Sequence, residues 1–250
     1  MLFGRSRRRR RALDQPFPQD WRALLTRAWP RWSALTVNER ERLEALIRMF
    51  IAERRWEPAN NFEITDEMRV LVAAQACLLV LEIGLDWYAR TGSIILHPGT
   101  MMTSGERRVG ATGLVADAPE PIDGQAHFEG SVLLSWPAVA YETRHPYTGR
   151  NVVYHEFAHQ LDMDDGLIDG TPSGLDDDLR QRWVEVCTAE YDAVRRGQSI
   201  TLRDYAGTDP GEFFAVATET FFATPHRVRD GNPALYAVLS EFYAQDPASR

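Results

Sequence analysis

Cysteine is scarce in this sequence, with only Cys77 and Cys187 among 250 residues. Neither belongs to a CxxC pair, so the chain lacks the thiolate spacing of a zinc ribbon or a dithiol redox centre, and it has no disulfide framework. Long hydrophobic runs are also missing. The longest, Val70 to Ile83, falls short of the roughly 20 residues that span a bilayer. It contains Gln75 and Glu82 and reads as a buried helix. Positive charge is in deficit: 28 basic against 36 acidic residues leave a formal charge of −8. That balance argues against nucleic acid as the main ligand, because phosphate binding needs a concentrated positive surface.

One segment runs against this balance. Arg5-Ser6-Arg7-Arg8-Arg9-Arg10-Arg11 places six arginines in seven residues. No apolar segment follows before Asp14, Pro16 and Pro18, so the segment is neither a Sec nor a twin-arginine export signal. Without such a signal, a cytoplasmic protein with two reduced thiols is the simplest expectation. Residues 1–15 read as a basic disordered tail, since blocks of like charge repel themselves; the alternative is a weak contact with an acidic surface. Residues 16–250 read as a single domain, with no internal repeat and no long linker.

The first half of that domain carries helical patterns. Thr36-Val37-Asn38-Glu39 is a capping box, followed by Leu43, Leu46, Ile47, Phe50 and Ile51 at helical spacing. A second helix is expected from about Asp66 to Gly84. Ser93–His97, Gly113–Ala116 and Ser131–Trp136 are short β-favouring runs bounded by Gly, Pro and Asp, and suggest a small sheet. Ser131–Trp136 reads either as a core strand or as a sheet edge that accepts an extended peptide. Helices are expected again over 151–161, up to about Arg196, and from near Pro210 and Pro233. Helices, then strands, then helices point to an α+β fold, mostly helical with a small mixed sheet.

The segment that carries chemistry is His155-Glu156-Phe157-Ala158-His159. On a helix, His155 and His159 lie on one face with Cβ atoms about 5–6 Å apart, so two imidazoles can share one ion. Zn²⁺ suits neutral imidazole, and a catalytic zinc site keeps three protein ligands plus an open position for water. Glu156 would then take a proton from the activated water and return it to a leaving amine. Val152, Val153, Tyr154, Phe157, Ala158 and Leu161 make the surrounding pattern apolar. Two histidines and a glutamate on a buried helix are costly unless they are paired or liganded.

The third ligand must come from elsewhere, and Tyr205 to Glu219 offers two carboxylates. Glu212 and Glu219 are seven apart and share a helical face. Asp209, Pro210 and Glu212 also compose a capping-box pattern that would occupy Glu212. Spacing alone leaves the two glutamates equally placed. Asp162 and Glu219 are both candidates to accept the free N–H of a ligating histidine.

The block His155-Glu156-Phe157-Ala158-His159-Gln160-Leu161-Asp162 and the later Tyr205, Asp209-Pro210-Gly211-Glu212-Phe213-Phe214-Ala215-Val216 resemble the two signature blocks of the Mlc titration factor A family, zinc-dependent peptidases of the gluzincin type. Looser similarity runs from about Phe17 to Arg250. It includes Leu81–Trp87 and the closing Phe242-Tyr243-Ala244-Gln245-Asp246-Pro247. The resemblance implies a zincin-like fold, one zinc per chain, Glu212 as the third ligand and Tyr205 as an active-site phenol. The tyrosine and glutamate spacing is also similar to that of the anthrax lethal factor catalytic domain. A tyrosine hydroxyl there can donate a hydrogen bond to the oxyanion formed during peptide attack. The implied activity is aminopeptidase-like hydrolysis of a peptide substrate. The implied partner is the glucose repressor Mlc, bound so as to regulate sugar phosphotransferase genes, with no direct role for nucleic acid or membrane. A non-catalytic protein that sequesters such a repressor around a structural zinc is the alternative.

Other features read as bland. Asp162, Asp164, Asp165 and Asp169 around Gly166 superficially resemble a calcium loop, but the EF-hand ligand order is not met; a solvated loop over 162–174 is expected. His97, His127, His145 and His226 show no metal spacing and read as surface histidines.

Overall fold

The computed structural model describes residues 2–102, 107–109, 114–116, 121–126 and 130–250. His127 and Gly113 lie outside the described residues. The fold is α+β and mostly helical.

Several elements form where local chemistry demands them. The Val37–Glu53 helix begins at a complete capping box, in which Thr36 accepts the Glu39 N–H and the Glu39 carboxylate accepts the Thr36 N–H. Its Leu43, Ile47 and Phe50 are fully buried. The Asp66–Leu79 helix is buried at every position from Val70 to Leu79, as its unbroken apolar run requires. It ends five residues before the expected stop, because the chain tightens into a turn that closes with Gly84 N–H bonded to Val80 O at 2.8 Å. Among the described residues no helix is long and apolar enough to cross a membrane.

The main sheet has four strands in the order Arg55–Pro58, Ser93–His97, Ser131–Ser135, Gly124–Ala126. The first three run parallel, and Gly124–Ala126 is antiparallel to Ser131–Ser135, with Gln125 opposite Leu133. Ile94, Leu96, Val132 and Leu134 are fully buried. The sheet adds one strand to those expected and decides between the two readings of another. Arg55–Pro58 is a strand that its composition conceals, and its proline is tolerated because the strand lies at the sheet edge. Ser131–Ser135 is paired on both sides, as the core-strand reading expects; among the described residues the edge on that side is Gly124–Ala126.

The N-terminus differs as well. A helix over Leu2–Leu13 stands where a disordered tail is expected. Self-repulsion is overcome because Glu53, almost wholly buried, accepts from Nε of both Arg5 (2.9 Å) and Arg9 (2.5 Å). Arg5 also donates to Tyr88 O and Ala89 O at 3.1 Å each. Burial alone would raise the Glu53 pKa, yet the Arg9 and Arg5 guanidiniums outweigh it and hold the carboxyl below its usual range.

The helix Val152–Asp162, which carries HExxH, packs between the sheet and the helix Pro210–Ala223. Phe157 anchors it in an aromatic cluster, with ring centroids 4.9 Å from Tyr88 and 5.5 Å from Phe50. Cys77 and Cys187 are buried free thiols.

Candidate metal centre

Two N-caps set the two site helices. Asn151 Oδ1 accepts the Tyr154 N–H at 2.9 Å and starts the HExxH helix. Asp209 Oδ1 accepts the Glu212 N–H at 2.9 Å and starts the Pro210–Ala223 helix, with Pro210 in its first turn. Only half of the expected capping box forms at Asp209. The Glu212 carboxylate turns away from its own helix end and points at the histidines.

Three donor atoms converge there. His155 Nε2 lies 3.0 Å from Glu212 Oε2 and 3.2 Å from His159 Nε2, and His159 Nε2 lies 3.7 Å from Glu212 Oε2. Ligand atoms 2.0–2.2 Å from a tetrahedral ion sit about 3.3–3.6 Å apart. The observed triangle brackets that spacing, and these residues could hold a metal ion.

The hydrogen bonding behind His155 explains why the triangle calls for positive charge. His155 Nδ1 stands 2.5 Å from Glu219 Oε1. Glu219 also accepts from Asn151 N–H at 3.0 Å and from both terminal nitrogens of Arg203, at 3.0 and 2.8 Å. A neutral imidazole that places its proton on Nδ1 towards this carboxylate leaves Nε2 as a bare lone pair. That lone pair faces Glu212 Oε2, a buried oxygen with no hydrogen-bond donor, and His159 Nε2 completes the group. Either a proton or a metal cation must sit among them. Burial disfavours the imidazolium, but the Glu219 and Glu212 carboxylates outweigh it and raise the His155 pKa well above the ordinary histidine value. Burial would likewise raise Glu212, yet His155 and His159 hold it far below the usual carboxylate range.

Glu156 faces the same cleft and is buried; burial raises its pKa, partly offset by the two imidazoles. The cleft holds about 480 Å³, and Gly124, Gln125 and Ala126 of the edge strand form part of its wall. Gly124 is required here, since a Cβ would lie 2.5 Å from Glu156 Oε1 and 2.7 Å from Val152 Cγ2. Tyr205 sits at the mouth, 41% exposed, with its ring 6.2 Å from that of His155 and the Arg203 guanidinium 5.7 Å above it.

The structure therefore brings His155, Glu156, His159, Glu212 and Tyr205 to one cleft and places Glu219 behind it. Asp162 does not reach the histidines. It is buried, with a pKa that burial pushes up to about 7, and its two oxygens accept the Gly170 N–H at 3.0 and 3.1 Å. It thereby ties the following loop back to the end of the HExxH helix, so the expectation of a wholly solvated loop fails at Asp162. His145 and His226 are exposed, and His97 is half-buried and bonded to Gly99. Sequence reasoning missed Asn151, Arg203 and Gly124. Arg203 leaves one usable signal: a buried glutamate that does not bind metal needs a cationic partner, and Arg203 stands two residues before Tyr205. Gly124 leaves none.

An HExxH helix beside a mixed sheet, with a glutamate from a later helix completing a triangle that could hold a metal ion, is the arrangement of a metallopeptidase-like protein. The family model for glucose-regulated metallo-peptidase M90 matches residues 3–244, and the chain belongs to that family. An uncharacterized protein of Synechocystis sp., slr2042, is 33% identical over 247 residues, covering 96% of this chain and 89% of the relative. Mlc titration factor A of Edwardsiella ictaluri is 32% identical over 232 residues, 89% of this chain and 87% of the relative. That of Cronobacter sakazakii is 31% identical over 242 residues, 93% and 88%.

Proposed function

We propose that this protein is a zinc-dependent peptidase of the gluzincin type, with His155, His159 and Glu212 as the zinc ligands. The observation that carries this reading is the triangle of two imidazole nitrogens and an orphaned carboxylate oxygen, with Glu156 alongside it. Two nitrogens and one oxygen suit zinc, and three protein ligands leave a position open. Zinc bound there supplies Lewis acidity to a water and to the scissile carbonyl.

The chain's own residues do the rest. Glu156, with its pKa raised by burial, accepts the proton of the attacking water at a carboxylate oxygen and passes it to the departing amine. Tyr205 donates its phenolic hydrogen to the developing oxyanion, in the manner of an oxyanion-hole donor. Glu219, held by Arg203 and Asn151, fixes the His155 tautomer and increases its basicity. An extended peptide substrate pairs with the free edge of Gly124–Ala126 by strand addition, which lays its backbone across the cleft. Cleavage next to a free N-terminus, as in an aminopeptidase, and a cytoplasmic site of action complete the reading.

The test is metal analysis after zinc reconstitution at neutral pH, together with hydrolysis of short peptides by the wild type and by Glu156→Gln. About one zinc per folded chain is expected. The wild type should cleave, and the variant should keep its zinc while losing roughly 10²–10⁴-fold in rate. A folded protein that binds no zinc sinks the reading.

The relatives' name supports a second reading, binding of an Mlc-like transcriptional repressor. Such binding is a surface property and need not use Glu156. Pull-down of a purified Mlc-type repressor by Glu156→Gln as efficiently as by the wild type would separate the two functions; loss of binding in that variant would tie them together.

A further inference from the structure

The two ends of the metal cleft differ in chemistry, and the fold fixes which end is which. Gly124 lies over Val152 and Glu156, in the first half of the HExxH helix. From there the edge strand leads to Ala126, which pairs with Val132 near the start of the neighbouring strand. That start lies beside Gly92, whose N–H donates to Gly130 O at 2.6 Å, and nearby Arg90 donates to Met163 O at 3.4 Å. Edge strand and helix therefore run in the same sense. Asp123 and Val152 stand at one end, Ala126 and Met163 at the other.

The Val152 end is acidic. Glu142, on the helix Trp136–Arg144, is half-buried in the cleft wall, with the exposed Asp123 also lining the cleft. Glu142 Oε2 accepts the Val152 N–H at 2.5 Å, which holds the side chain in place; among the described residues its Oε1 has no hydrogen-bond donor. Burial pushes the Glu142 pKa up to about 7, and the charges of Glu219 and Asp123 add to the rise, so a cation brought to this carboxylate is favoured. The arginines of the cleft wall do not supply one. Arg203 is bonded to Glu219, and Arg150 is exposed and acts on Glu142 only from a distance. The Met163 end is apolar. Met163 is buried, and Ile168 packs so closely on Gly211 that no side chain fits there. Asp209 beside them is engaged in capping the Glu212 helix.

An extended peptide added to Gly124–Ala126 pairs best in the antiparallel sense, the more stable and commoner ladder. Its N-terminal half then lies towards Ala126, Met163 and Ile168. The half that departs as the amine lies over Gly124, where a side chain as long as lysine can run along Val152 and bring its charged head to Glu142. We propose that the cleft selects peptides with an apolar residue before the scissile bond and a lysine or arginine after it, and that Glu142 is the residue that recognises the basic side chain. This rests on the peptidase reading above and adds its substrate class. The bond from Val152 N–H leaves Glu142 one oxygen for the substrate and no freedom to swing away from it.

Three amidated peptides with free N-termini test the proposal on the zinc-reconstituted protein: Leu-Lys-Ala-Ala, Leu-norleucine-Ala-Ala and the reversed Lys-Leu-Ala-Ala. Norleucine keeps the lysine stem and drops the charge. Cleavage after the first residue should favour Leu-Lys over Leu-norleucine by about ten- to a hundredfold in kcat/KM, the worth of one charge-assisted hydrogen bond, and the reversed peptide should be the poorest. Glu142→Gln keeps an oxygen for the Val152 N–H, and in it the Leu-Lys to Leu-norleucine ratio should fall to about one. The ratio is taken within one protein, so a loss of folded enzyme cancels. Calorimetric titration of the same peptides into Glu156→Gln reads recognition without turnover, and Leu-Lys should bind on the order of tenfold more tightly than Leu-norleucine. Equal use of the two peptides, a preference that survives Glu142→Gln, or a preference for the reversed peptide overturns the proposal and leaves the peptidase reading standing. No hydrolysis of any peptide sinks the peptidase reading instead. In that case lysine-selective binding that is lost on adding Glu142→Gln upholds the role of Glu142, and equal binding overturns it.

Discussion

One helix carries two glutamates on the same face, and the imidazole of His155 stands between their carboxylates. Glu212, in the first turn, approaches Nε2 from the cleft side; Glu219, two turns on, approaches Nδ1 from the packed side. The front carboxylate has an oxygen with no donor, whereas both oxygens of the rear one are saturated by Arg203, Asn151 and the imidazole. The two residues are identical in type and in helical phase. Hydrogen-bond supply separates them: a carboxylate already satisfied by fixed donors can orient a ligand but has little left for an ion, and a buried unsatisfied one demands a cation.

The sharpest way to break this comparison is to neutralise each glutamate in turn. Glu212→Gln should bring peptide hydrolysis to background and weaken zinc binding, measured by competition with a chromogenic chelator, by more than Glu219→Gln does. Retention of zinc by Glu212→Gln alongside its loss in Glu219→Gln would reverse the assignment. Tyr205→Phe should come next, with kcat reduced about 10²–10³-fold, the usual worth of one oxyanion donor, and zinc content unchanged. Loss of metal in that variant would mean the phenol serves the site's structure instead. Glu219→Gln removes the rear support and should cost roughly 10–100-fold in zinc affinity or activity. The smallest effect is expected from Gly124→Ala. Its new methyl meets Glu156 Oε1 at 2.5 Å and should lower kcat about tenfold by displacing the base, with zinc affinity intact. Full activity in Gly124→Ala would show that Glu156 has room the present packing does not reveal.

Most of the local structure was legible because local rules govern it. The Thr36 box, the Asp209 cap and the apolar Val70–Leu79 run each form as their chemistry requires. Errors fell where a distant partner overrides a local tendency. The arginine run looked self-repelling until Glu53, more than forty residues away, supplied the compensating charge. Arg55–Pro58 looked unlike a strand until Ser93–His97 paired with it in parallel. Ser131–Ser135 had the composition of either an edge or an interior strand, and only the pairing order distinguishes them.

By itself the sequence determined that His155 and His159 share one helical face with Glu156 beside them, because four-residue spacing on one helix fixes where the two imidazoles point. It also offered two glutamates in helical phase to stand against them. Which of the two meets the cleft-side nitrogens was decided by the tertiary structure. Which carboxylate meets open space and which meets Arg203 and Asn151 depends on how two helices cross, and that crossing is set by packing between residues some sixty positions apart.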